Sequence, residues 1–179
     1  MYYKTNLDSP VGMITLASDD KNLLGVWMDG QKYFAATAPE QIIQQDDHPV
    51  LCAGKRWLER YFDGVCPEIS ELPLAPKGSS FRQEVWKILM SIPYGETITY
   101  GDIAQMLAKK RGIQRMSSQA VGGAVGHNPI SIIIPCHRVI GANGNLTGYA
   151  GGCELKIKLL ELEGVDLSGM FIPKKGTAL

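Results

Sequence analysis

The sequence predicts an α/β protein in two parts: a small α/β domain over residues 1–76, and a mostly helical domain over residues 77–179 with a helix-turn-helix. Three observations point to this. Residues 11–17 and 23–28 are β-prone runs divided by Ser18, Asp19, Asp20 and Asn22, which is a hairpin signal. Residues 72–80 read LPLAPKGSS, where prolines and a glycine stop any regular element. Beyond that break come short helical patterns, each opening on a capping residue. A length of 179 residues suits one domain or two small ones.

The elements follow in chain order. After the hairpin, residues 49–62 have helical spacing, with Leu51, Leu58, Tyr61 and Phe62 able to share a face. The 72–80 break is the expected linker. Ser80 and Gln83 have capping-box spacing, and Phe81, Val85, Ile88, Leu89 and Ile92 form an apolar stripe up to Pro93. Thr99 and Asp102 cap a second helix whose inward residues are Ile103, Met106 and Leu107. A third helix starts at Ser117 or Ser118 and runs through the small-residue stretch to Val125, completing a helix-turn-helix. Residues 130–134, bounded by Pro129 and Pro135, read as a buried extended segment, and Gly141, Asn143 and Gly144 as a turn. The last helix covers 154–163, with Leu155, Leu159 and Leu162 on one side and Gly164 as its stop.

Composition narrows the function. Hydrophobic residues at 45% and charged residues at 20% exclude a disordered chain, a collagen-like repeat and a mucin-like stalk. No apolar run reaches the length of a membrane span, and the N-terminal MYYKTNLDSP lacks a signal-peptide core, so the expected location is cytoplasmic. The cysteines at 52, 66, 136 and 153 show no CxxC spacing and are read as thiols. Net charge is +0, yet the first 80 residues carry 7 basic and 11 acidic side chains, and the remainder 11 and 7. Lys109, Lys110, Arg111 and Arg115 crowd the second half, which suggests either a nucleic-acid face or a solvated loop.

Cys136 is the candidate nucleophile. A free thiol titrates near 8.5, so only a small fraction is thiolate at neutral pH unless a base or cation helps. His137 and Arg138 stand next to it. Neighbouring side chains on an extended chain point apart, so the imidazole would act through a water. The competing reading is an inert buried cysteine beside a surface histidine.

The surrounding string resembles the alkylguanine-DNA alkyltransferase family, the methylated-DNA–protein-cysteine methyltransferases. PCHRV at 135–139 preceded by NP at 128–129 carries the resemblance, with YGETITY at 94–100, AVGGA at 120–124, GYAGG at 148–152 and LLELEG at 159–164 in the family's order. It covers 81–179, and more loosely the first half through GVW at 25–27 and GQKYF at 30–34. It implies a ribonuclease-H-like first domain and irreversible, single-turnover transfer of an alkyl group from 6-O-alkylguanine to Cys136. Whether 4-O-alkylthymine is also a substrate stays open.

The resemblance also implies roles. His137 acts on the sulfur, Glu163 holds His137, and Asn128 braces the turn. Tyr100 rotates the nucleotide out and donates to the leaving guanine. Val139, Tyr149 and Ala150 line the base pocket. Arg115, Ser118, Gln119, Ala120, Gly123 and Arg138 contact DNA through the minor groove, with the chain working as a monomer. Gln119 stands where most relatives carry an arginine that fills the vacated stack, and Arg111 or Arg115 are the candidate substitutes. A non-enzymatic sensor of alkylated bases is the alternative, although such relatives carry tryptophan at the cysteine position. No cofactor is expected. His48, Cys52 and Cys66 lack an evident fourth ligand, so no metal is expected either.

Overall fold

A computed structural model describes residues 1–173 of the chain. Its first unit comprises Met1–Gly78 together with Pro129–Ile134. The expected hairpin is present as β2 (Gly12–Ser18) against β3 (Leu23–Met28), antiparallel. Two strands not foreseen complete the sheet. β1 (Tyr3–Ser9) pairs antiparallel with β2, and β4 (Ile43–Gln44) pairs parallel with β1, giving the order β3-β2-β1-β4. Every residue of β3 is buried, which suits its continuous apolar run. Gly25 is required there, because a Cβ would lie 1.9 Å from the Trp27 ring.

α1 (Pro49–Phe62) has the expected bounds and opens on proline at its first turn. It lays Leu51, Trp57, Leu58 and Tyr61 inward. Gly54 permits close approach to the sheet, since a Cβ there would meet Leu16 at 2.8 Å. The expected linker begins as part of this unit. The Leu23 N–H donates to Pro73 O at 2.7 Å, and the Ala75 N–H donates to Leu23 O at 3.0 Å. The buried run at 130–134 belongs here as well, through Val26 N–H to Pro129 O at 2.8 Å and Ser131 N–H to Val26 O at 3.0 Å. It is not extended: Ile132 takes φ 70 and the chain turns about it.

The second unit holds Ser79–Asn128 and the chain from Pro135 onward. α2 (Ser80–Leu89) is capped by Ser79, whose hydroxyl accepts from the Arg82 N–H at 3.3 Å. The cap therefore lies one residue before the expected box at Ser80 and Gln83. The buried stripe is Val85, Trp86 and Leu89, and Trp86 Nε1 donates to Ala124 O at 2.9 Å. β5 (Ile98–Thr99) leads into α3 (Tyr100–Arg111), where Thr99 and Asp102 form the expected capping box. Ile103 and Leu107 face inward, but Met106 is half exposed. α4 (Ser118–Gly126) is capped by Ser117 and packs on α2 and α3 as the second helix of the helix-turn-helix. A 3₁₀ turn at Cys136–Arg138 runs into β6 (Val139–Ile140), parallel to β5. That pairing sets the cysteine turn beside the start of α3. α5 (Cys153–Leu162) closes the unit, with Gly164 at φ 74 after it.

The inward face of α5 differs from the expected one. Leu155 and Leu162 are only partly buried, and the buried stripe is Lys156, Leu159, Leu160 and Glu163. These sit at i, i+3, i+4 and i+7, a regular core face carrying a cation and an anion. Among the described residues no helix is long and apolar enough to cross a membrane.

Candidate active site

Cys136 opens the 3₁₀ turn and is buried. The turn replaces the extended geometry expected around it, so Cys136, His137 and Arg138 fan out rather than alternate. The Asn128 side-chain amide donates to Cys136 Sγ at 3.2 Å. Burial pushes the thiol above its ordinary value, while the Asn128 hydrogen bond and the charge of Lys156 pull it down. The resting group is a thiol that needs a base.

His137 is that base's natural candidate. Its Nε2 lies 2.5 Å from Glu163 Oε1, and both side chains are fully buried. Burial lowers the imidazole below its ordinary value, and the Glu163 contact opposes this. Burial would raise Glu163, but the hydrogen bonds and charges of His137 and Arg138 outweigh it and bring the carboxyl to about 2. An ionised carboxylate only accepts, so the proton of the neutral ring sits on Nε2 and Nδ1 is the basic nitrogen.

Arg138 was expected at the DNA surface. Instead it is buried, with Nε donating to Glu163 Oε2 at 2.8 Å, Nη2 to Oε1 at 3.1 Å and Nη1 to Ile92 O at 2.6 Å. A buried guanidinium with all three nitrogens turned to internal oxygens is not presented to phosphate, so Arg138 leaves the DNA-contact set. The Gly95 N–H, 3.1 Å from Glu163 Oε2, adds another donor to the carboxylate.

The pocket residues gather around this centre. Tyr100 is the first residue of α3, and its hydroxyl lies 3.3 Å from Thr147 O and 3.2 Å from Gly148 O. Burial raises its ionisation above the usual phenol value. Val139 is buried, and the Tyr149 ring meets the His137 ring edge-on at 6.5 Å. The Tyr149 hydroxyl is buried without a hydrogen-bond partner, a donor available to an incoming polar ring. Ala150 is half-buried beside it, and Gly151 allows the close packing, since a Cβ there would clash with Leu155 and Tyr149.

Lys156 was not anticipated. It is fully buried, and its Nζ donates to Val139 O at 2.5 Å and Thr147 O at 3.1 Å. Burial lowers the ammonium to about 8. The signal was present in its spacing, three and four residues before Leu159 and Leu160 on a helix otherwise read as Leu-faced.

The helix-turn-helix surface meets this centre at Tyr100. Ser118, Gln119 and Ala120 are exposed and Gly123 is half-buried, all on α4, whereas Gly122 and Ala124 point inward. Gln119 and Ser118 line an open pocket of about 310 Å³ with Thr99, Tyr100, Gly101 and Ala142. Arg115 is exposed on the rim of an adjoining pocket. Arg111 is engaged with Glu84 at 3.0 Å and lies over Phe81, which leaves Arg115 as the candidate substitute.

Comparison with known proteins accounts for nearly the whole chain. Residues 1–76 match the ribonuclease-like domain of 6-O-methylguanine DNA methyltransferases, and residues 80–165 match their DNA binding domain. The chain belongs to the 6-O-methylguanine DNA methyltransferase family. A methylated-DNA–protein-cysteine methyltransferase from Methanosarcina acetivorans is 44% identical over 165 residues, 92% of this chain and 99% of that protein. The one from Haemophilus influenzae is 42% identical over 161 residues, 90% and 86% of the two chains. A crystal structure of the Mycobacterium tuberculosis protein in complex with DNA superposes with a TM-score of 0.75 at 42% identity, covering 90% of this chain and 91% of that one. Within this family frame the PCHRV stretch is the 3₁₀ turn at Cys136–Arg138 and its exit into β6.

Proposed function

We propose that this methyltransferase removes the alkyl group from 6-O-alkylguanine in double-stranded DNA and keeps it on Cys136. The observation that carries the reading is the buried sulfur held by Asn128, beside a histidine hydrogen-bonded to a buried carboxylate. In this reading the thiol proton passes to His137 through a water. The sulfur pair forms a C–S bond to the alkyl carbon as the C–O bond breaks, and that electron pair leaves with the guanine. Tyr100 donates to the departing base, and charge neutralised there favours the transition state.

The alkyl carbon is out of reach inside a stacked duplex, so the nucleotide is extruded at a cost of a few kcal/mol. α4 enters the minor groove with Ser118, Gln119, Ala120 and Gly123 outward, Gln119 occupies the vacated stack, and Arg115 contacts the backbone. Val139, Tyr149 and Ala150 line the extruded base's pocket. The division of labour follows the expected domains at 1–76 and 77–179, with the boundary moved to Gly78 and Pro129–Ile134 returned to the first unit, a single copy suffices, and the protein works on chromosomal DNA in a prokaryote-like cytoplasm.

The test is mass spectrometry after incubation with a duplex carrying methylated guanine. A single methyl on the Cys136 peptide, absent in Cys136→Ser although DNA is still bound, is the expected result. Binding without any adduct would make the protein a sensor of alkylated bases instead.

A further inference from the structure

Glu163 is shared. Its carboxylate accepts from His137, from two nitrogens of Arg138 and from the Gly95 N–H. A buried carboxylate facing only an imidazole favours the charged ring and raises its proton affinity. A protonated ring has no lone pair to offer a thiol. A guanidinium is charged at every accessible pH, and its fork matches a carboxylate at two points.

We propose that Arg138 is a positioning residue for thiol activation: by neutralising Glu163 it keeps His137 as a neutral imidazole, with its proton on Nε2 and Nδ1 ready to take the proton of Cys136. The inference rests on alkyl transfer to Cys136 as proposed above. The guanidinium is fixed for this task. Its remaining nitrogen donates to Ile92 O at 2.6 Å, and its carbon lies 5.6 Å from the centre of the Tyr94 ring. Tyr94 is itself anchored, its hydroxyl donating to Leu162 O at 3.2 Å.

Charge bookkeeping favours this arrangement. Arg138 and Glu163 sum to zero, so a neutral ring leaves the triad uncharged at rest. The groups that face His137 are Glu163 and Lys156 from the α5 segment, Cys136 and Arg138 from its own turn, and Tyr149 from the preceding loop. Burial disfavours the charged ring most, and Arg138 and Lys156 act in the same sense against a further cation. When the proton leaves Sγ and reaches Nδ1, the new imidazolium faces both the carboxylate and the fresh thiolate. The thiolate pair then forms the C–S bond as the C–O bond breaks.

The experiment is NMR of ¹⁵N-histidine-labelled protein, with single-turnover alkyl transfer followed from pH 5 to 9. In the wild type, His137 at pH 7 should be neutral and protonated on Nε2. In Arg138→Met its titration should move up by about one unit or more, a tenfold change in proton affinity. Its transfer rate should therefore fall about threefold or more at pH 6 and return to the wild-type value at pH 9, by general-base behaviour. Arg138→Lys, which keeps charge without the fork, should shift the titration less. A merely structural role would lower the rate equally at every pH and leave the imidazole titration in place, and that result overturns the proposal. An imidazolium, or an Nδ1-protonated ring, in wild-type protein at pH 7 overturns it even if Arg138→Met does not fold. If wild-type protein acquires no alkyl group at all, the functional reading fails, while the NMR titration still reports on Arg138.

Discussion

Single side chains in this site are coupled through one carboxylate. Glu163→Gln and His137→Gln should each slow alkyl transfer by about 10²–10⁴-fold, the range for a lost general base. The double variant should be no slower than the worse single one, because both disable the same path. Single-turnover rates on a methylated duplex measure this, and independent losses would break the proposed link. Glu163 also predicts an acid limb of stability. Its carboxyl titrates at about 2 in the fold against 4.5 for an ordinary glutamate. Between those values the unfolded chain takes a proton that the native state refuses, so stability is present above 4.5 and lost as pH falls toward 2. Glu163→Gln should be less stable at pH 6, since Arg138 loses its partner, yet show a flatter decline between pH 4.5 and 2.5. Urea midpoints across that range decide it. Cys136, His137, Asn128 and Glu163 are singled out by the family resemblance of the stretches that carry them, and the fold brings the four together. Arg138 was misplaced because a cation in a sequence looks the same whether it meets phosphate or a buried glutamate.

Helices carry the next set of consequences. On α4, Gln119→Arg should tighten duplex binding, steepen its salt dependence by about one unit from one added phosphate-directed charge, and speed repair in duplex DNA. It should leave the rate on the free alkylated base unchanged, since no extrusion is needed there. Equal gains on both substrates, or none, would remove position 119 from the extrusion step. On α5, Lys156→Met keeps much of the volume but strips the donors from Val139 O and Thr147 O. Unmade buried hydrogen bonds should cost about 1–3 kcal/mol, read as a lower denaturation midpoint. The buried face of α5 is not its leucine face; a stripe at 156, 159, 160 and 163 has the same period but contains charges that only internal partners make tolerable. The cap of α2 is Ser79 rather than Ser80: both are competent in sequence, and the choice depends on where the chain turns.

Taken as one object, the protein should act once. A thioether on Cys136 has no good leaving group. Cys153, a thiol on the same unit, is engaged with Leu146 O at 3.4 Å rather than with Cys136. Transferred alkyl groups should plateau at one per chain with excess methylated duplex, and a continuing linear rise would refute a suicide reaction. Binding to duplex DNA should weaken steeply with salt despite the zero net charge, because the basic excess lies in the second half of the chain.

Local chemistry in the sequence by itself determined much of this protein. The hairpin, the bounds of α1, the Thr99–Asp102 box and the helix-turn-helix rest on turn residues, caps and periodicity, and the roles proposed for Cys136 and His137 rest on the family resemblance. Tertiary structure decided the rest. β1 carries a run of polar residues, Lys4, Thr5 and Asn6, and becomes a strand because β2 and β4 supply its hydrogen bonds. The 130–134 run is buried but turned at Ile132: the Ile133 N–H donates to Ser131 O at 2.9 Å and the Ile134 N–H to Ile130 O at 3.0 Å, while the Ser131 N–H reaches Val26 O at 3.0 Å. Arg138 and Lys156 are internal because buried oxygens distant in the chain converge on them, Glu163 and Ile92 on one, Val139 and Thr147 on the other. A charge's destination depends on which acceptors the fold brings within about 3 Å of it, and that is a property of three-dimensional packing rather than of spacing along the chain.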